Sequence, residues 1–208
     1  MSQLSSYRGS DSVVLSHPES SPLSLLPVER AEHILPEYRG TPIADLLAAH
    51  NLGRALTVPT PPANADLLII TCMDHRVTFD IPEYFAYQIR TAGATVSPIL
   101  SNVAFAVGVA GVRSICVIGH TDCAMCRVEN RTDTLVEALV ENESMCPNEA
   151  NAHATRLREV FRVEDPVRAT WKAARQVAAS FPSCLVAPLL YRVEDGALLQ
   201  LAPATDRA

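Results

Sequence analysis

The stretch Asp66-Leu67-Leu68-Ile69-Ile70-Thr71-Cys72 is a short, continuous apolar run that breaks off into Met73-Asp74-His75-Arg76. A strand covered on one face alternates apolar and polar residues. An unbroken run of this length, rich in branched residues, is buried on both faces, as strands of a parallel sheet are. Ser114-Ile115-Cys116-Val117-Ile118-Gly119 has the same character, and so does Leu185-Val186-Ala187-Pro188-Leu189-Leu190-Tyr191. Ala86-Tyr87-Gln88-Ile89-Arg90 is a weaker strand of the same kind.

Helical patterns fill the intervals. They are expected over residues 98–110, from Asp133 to Asn142 with Asp133 as cap, and over 149–160 and 166–180. The last begins Asp165-Pro166, a capping residue followed by proline at the first helical position. Asp195-Gly196 is a hairpin signal leading into Leu198-Leu199-Gln200-Leu201. Strands alternating with helices predict an α/β domain with a mostly parallel sheet. Further out, residues 28–53 read as two helical pieces broken near Pro36 and Gly40, with Thr41 capping the second. Val58 to Pro62 reads as an extended linker. Residues 1–25, rich in serine with Pro18 and Pro22, read as a flexible tail, and residues 26–208 as one domain.

Composition narrows the function classes. The chain has 208 residues, 48% of them apolar and 19% charged, so it can bury a core. A net charge of −6 argues against a nucleic-acid partner. No run reaches the ~20 apolar residues of a bilayer span, and Met1 to Arg8 has no apolar signal-type stretch. A cytoplasmic protein without a membrane partner is expected. Six cysteines are even in number, but a core of this size needs no disulfide staples. They are better read as metal ligands, catalytic thiols or core residues.

In parallel sheets ligands sit beyond the carboxyl ends of the strands. The first buried strand ends in Cys72-Met73-Asp74-His75-Arg76, and the second in Gly119-His120-Thr121-Asp122-Cys123. If these strands are neighbours, Cys72, His120 and Cys123 meet at one rim. Two thiolates and an imidazole suit tetrahedral Zn²⁺, and three protein ligands leave the fourth position open, as a catalytic zinc requires. A helix starting at residues 121–124 would favour the Cys123 thiolate. Asp74 can accept a hydrogen bond from a zinc-bound water, and Arg76 can hold Asp74 ionised and aimed. Released by Arg76, Asp74 could take the fourth zinc position itself. Each residue has a plainer reading: Cys72 as a small core residue, His120 as a satisfied strand-end histidine, Asp74–Arg76 as a surface ion pair. The agreement of ligand types, spacings and strand ends favours the metal. Cys126 completes a C-x-x-C with Cys123, but one turn further along it is read as packing inward.

These residues resemble the β-class carbonic anhydrases, whose signature is C-x-D-x-R followed by H-x-x-C. Ile89-Arg90-Thr91-Ala92-Gly93 resembles the family's R-N-A-G, and Leu190 to Leu198 its last strand and hairpin. The resemblance implies a parallel four-stranded sheet core plus an edge strand, flanked by helices, with an N-terminal helical arm. It implies one Zn²⁺ per chain on Cys72, His120 and Cys123, and Asp74 with Arg76 as the catalytic dyad. Ala92 and Gly93 would line the substrate pocket. The reaction would be reversible hydration of CO2 to bicarbonate and a proton, by a homodimer or a multiple of dimers. Thr91, Ala124, Pro82 to Phe85 and Ala187-Pro188 depart from the family's usual residues. Two other functions stay open at this point. One is hydrolysis of CS2 or COS at the same zinc; the other is a non-catalytic scaffold.

Overall fold

The computed structural model describes residues 22–58 and 64–204. Most of the expected tail, and all of the expected linker except Val58, lie outside those residues. Six strands form one sheet in the order β1-β6-β5-β4-β2-β3: β1 Leu23–Pro27, β2 Leu67–Cys72, β3 Ala86–Thr91, β4 Ser114–His120, β5 Leu185–Tyr191 and β6 Leu198–Pro203. The pairs β2–β3, β2–β4 and β4–β5 are parallel. Strand β6 returns antiparallel to β5, and β1 lies antiparallel on β6. Two strands therefore extend the parallel block where one edge strand was expected. Leu23 to Leu25, assigned to the tail from sequence, belong to β1.

Every residue of β2 and of β4 is buried. Leu67 and Ile69 face one core with Cys116 and Ile118, under Ile43, Leu46 and Leu47 of α1 (Pro42–Leu52). Leu68 and Ile70 face the other with Ile115 and Val117, under Val103 of α2 (Leu100–Gly108) and Ala174 and Val177 of α5 (Pro166–Ser180). The strand period of two thus divides each apolar run between two cores. Pro188 is tolerated inside β5 because β6 pairs only from Leu189 onward, leaving β5 without a neighbour on that side. Gly119 lets α5 approach β4: a methyl group there would collide with the Thr170 side chain.

Local signals explain several boundaries. Thr41 Oγ1 accepts the amide of Ile43, and Gly53 ends α1 in the left-handed region at φ 65°. Asp165 Oδ1 accepts the amides of Val167 and Arg168 at the start of α5. The other helical piece, expected before the break near Pro36 and Gly40, is only two 3-10 turns, Ala31–His33 and Pro36–Tyr38. Helix α3 (Thr132–Glu143) starts after Arg131, so Asp133 lies inside its first turn and does not cap it. Its acidic side chain still suits the positive helix end. Helix α4 (Pro147–Phe161) packs on α3.

Candidate metal centre

The chain runs from β2 outward to the edge at β3, then back across to β4 and β5. The order reverses between β2 and β4, and their carboxyl ends open the crevice where α/β sheets bind ligands. Cys72 ends β2, His120 ends β4, and Cys123 follows three residues later. Their ligating atoms all lie within 4.8 Å of one another, and all three side chains are buried. Cys123 is followed by a 3-10 stretch, Ala124–Arg131, kinked at Arg127. The α-helix expected at residues 121–124 is absent, so a helix dipole is not what favours a thiolate there.

Each donor is aimed by its surroundings. His120 Nδ1 lies 2.8 Å from the carbonyl of Thr121, which can only accept, so Nδ1 carries the proton. Nε2 is then the free lone pair, and among the described residues it is the buried side-chain polar atom without a hydrogen-bond partner. Such an orphan is costly unless something else occupies its lone pair. Thr121 is itself fixed: its amide donates to Tyr191, its hydroxyl donates to Glu194 and accepts from Val193. A ligand histidine whose other nitrogen is anchored in this way has a set tautomer and ring orientation. The Cys72 thiol is pushed down, first by the hydrogen bond from Cys123 and further by the amides of Asp74 and Gly93, against the opposing effect of burial. The Cys123 thiol is pushed up by that same shared hydrogen bond and by burial. Two thiols and an imidazole nitrogen converging on one point, the nitrogen without a partner, fit one tetrahedral Zn²⁺.

The acid–arginine pair sits at the rim of this triad. Arg76 Nε donates to Asp74 Oδ1 at 3.0 Å and Nη2 to Asp74 Oδ2 at 2.8 Å, and the Arg76 amide also donates to Oδ1 at 3.0 Å. The guanidinium holds the Asp74 carboxyl well below the usual carboxylate range. Asp74 Oδ2 lies 3.9 Å from His120 Nε2, so the carboxylate borders the space the lone pair faces. Arg90 laces the intervening loop to β3 through the carbonyls of Cys72 and Val77.

The two expected pocket residues separate. Gly93, at φ 64°, lines a cavity of about 10 Å³ with Gly119, His120, Cys123 and Val163, whereas Ala92 does not. A Cβ on Gly93 would stand 2.6 Å from Val163 Cγ2, so the close approach requires glycine. Larger hollows of about 670 and 680 Å³ lie beside Met125 and Leu135 and between Leu23 and Trp171, and none of the three converging residues lines them. Cys116 is fully buried and its thiol is pushed up by burial, as a core residue's is; Cys126 is half-buried and outside the triad. Thr121, Asp122, Glu194 and Arg90 were not among the residues expected at the site. Their partners are far away in sequence, and only the positions of Thr121 and Asp122 inside the H-x-x-C segment hinted at them.

Comparison with known proteins agrees with this geometry. The chain is similar to a β-carbonic anhydrase, isoform I, of Trichomonas vaginalis: TM-score 0.55, 20% identity, covering 71% of this chain and 87% of that one. It is also similar to a carbonic anhydrase from Glaciozyma antarctica: TM-score 0.52, 26% identity, covering 82% and 97%. No curated protein matches it in sequence. The carbonic anhydrase family model matches residues 67–198. Because that match runs from the first residue of β2 to the first residue of β6, and so spans both metal-binding loops, the chain belongs to the β-carbonic anhydrase family.

Proposed function

We propose that the protein is a zinc-dependent carbonic anhydrase that hydrates CO2 reversibly to bicarbonate and a proton, with Cys72, His120 and Cys123 as ligands. The observation that carries this reading is the orphaned His120 Nε2, buried between two thiols and bordered by a carboxylate that an arginine holds in place. When bound, zinc supplies the Lewis acidity that makes water nucleophilic near neutral pH. The chain's own groups do the rest. Two thiolates balance the dication in a buried place. Asp74 is too acidic to take a proton readily near neutrality, so it accepts a hydrogen bond from the attacking water and orients it. Arg76 fixes Asp74 in that pose. Gly93 keeps the wall beside Cys123 and Val163 close-packed and small.

The active form in this reading is a homodimer or a multiple of dimers. It is supported by the outer edge of β3 and by the exposed apolar side chains of Met73, Tyr87, Phe105 and Val109. The six cysteines are free thiols, as a reducing compartment such as the cytoplasm maintains them. Metal analysis with stopped-flow CO2 hydration across pH tests the reaction. Stoichiometric zinc with turnover is expected. A zinc-loaded chain without hydration at about pH 8.5 overturns it.

A further inference from the structure

Asp74 takes the Nε/Nη2 side of the Arg76 guanidinium, and the adjoining Nη1/Nη2 end is also taken. Arg76 Nη1 donates to Asp122 Oδ2 at 3.0 Å, and Nη2 donates to the Asp122 carbonyl at 3.1 Å. Asp122 Oδ1 in turn accepts from Arg127 Nη2 at 2.9 Å. Arg127, Asp122, Arg76 and Asp74 thus alternate in charge along one chain of hydrogen bonds that runs toward the triad. Asp122 stands between Thr121, which is fixed by three hydrogen bonds, and Cys123. Its backbone is in the left-handed region at φ 51°, a conformation aspartate tolerates at some cost. That turn directs both its carbonyl and its carboxylate at Arg76.

We propose that Asp122 is a positioning residue for the Asp74–Arg76 pair, gripping the end of the guanidinium beside the edge that holds Asp74 and so keeping the Asp74 carboxylate from closing the fourth position at the Cys72–His120–Cys123 triad. The inference rests on the functional reading above. Without Asp122, the guanidinium sits on a flexible three-methylene arm, tied to Asp74 through its Nε/Nη2 side alone. The pair then has no fixed point on the β4 loop, and Asp74 Oδ2 is already 3.9 Å from the ligating nitrogen of His120. With Asp122, the loop after β2 is referenced to the loop that carries His120 and Cys123. Arg127 balances the charge of Asp122 and anchors it from outside.

The test uses the full chain with Co²⁺ in place of zinc, whose visible bands report the fourth position, and azide as probe. Wild type should bind azide with a clear spectral change. In Asp122→Asn, which tolerates the left-handed backbone, Asp74 closes the site most of the time, and apparent azide affinity falls about tenfold in proportion to the open fraction. Asp122→Gly, which adopts this backbone freely, should do the same. Adding Asp74→Asn to either variant should restore azide binding without restoring turnover, which loss of structure alone would not do. Wild-type azide affinity in both Asp122 variants overturns the proposal, as does a wild-type cobalt protein blind to azide. A wild type that binds azide but hydrates no CO2 overturns the functional reading instead.

Discussion

The Nδ1–H of His120 donates to the carbonyl of Thr121 at 2.8 Å, and this one bond decides which nitrogen faces the triad. Removing a ligand should therefore remove the metal rather than merely loosen it. His120→Gln and Cys123→Ser are expected to lose zinc affinity by more than the roughly 10–100-fold that follows loss of a supporting hydrogen bond. Metal analysis after dialysis against a weak chelator checks this. Thr121→Val, which deletes the hydroxyl held by Glu194 and Val193, should fall within that smaller range.

Zinc uptake should be linked to protons. Both cysteines must be thiolates in the metal complex, while in the free pair Cys123 keeps its proton in a hydrogen bond to Cys72. Affinity is then expected to fall as pH falls, because protons compete for the ligands. Titration calorimetry in buffers of different ionisation enthalpy should show net proton release. Uptake with no proton release would mean that the thiols are not the ligands.

Asp74→Asn keeps the shape of the side chain and removes its charge. Zinc should be retained, because Asp74 is not among the converging ligand atoms. The rate constant kcat should drop roughly 100-fold, as when one pre-positioned hydrogen-bonding group is lost from an active site, with little change in KM. Arg76→Lys should be nearly as damaging, since a single ammonium cannot reproduce the two-point grip on Asp74.

The core of the site was legible in the sequence because parallel-sheet strands are continuous apolar runs and the chemistry follows directly at their ends. Cys72, Asp74, Arg76, His120 and Cys123 come together where that logic puts them. What escaped depends on partners distant in the chain. Leu23 becomes a strand residue only because it pairs with Pro203, and nothing in the local Ser-Pro-Leu-Ser pattern announces this. Thr121 meets Glu194 across seventy-odd positions. The left-handed turn at Asp122 replaced a helix start that the residues after it equally permit.

Gln200 is the clearest case of a residue whose role only the fold reveals. It is fully buried in β6, and its amide bridges two backbone groups: Oε1 accepts from the Leu35 amide at 2.9 Å and Nε2 donates to the His33 carbonyl at 3.0 Å. Gln200→Leu fits the apolar surroundings but strands both groups. Since each buried unsatisfied group costs about 1–3 kcal/mol, the variant should unfold about 2–4 kcal/mol more easily. Hydrogen exchange should show the Leu35 amide losing its protection first.

The hairpin between β5 and β6 carries a pH dependence of its own. Arg192 Nε donates to Asp195 Oδ1 at 2.8 Å and its Nη2 to Oδ2, while the Ala197 amide donates to Oδ1 at 3.2 Å. Arg192 and that amide pull the Asp195 carboxyl from 3.8 down to about 2. The folded chain therefore prefers the ionised form more strongly than the unfolded chain does. This contribution is fully present above the ordinary carboxylate value and is lost as pH falls from there through about 2. Both side chains are about half exposed, so solvent screens the pair and the effect is small. In urea titrations, wild type should exceed Asp195→Asn in stability near neutral pH, and the gap should close on acidification toward pH 2. A gap that stays constant over that interval would place the stabilisation in the shape of the turn and not in the charge of Asp195.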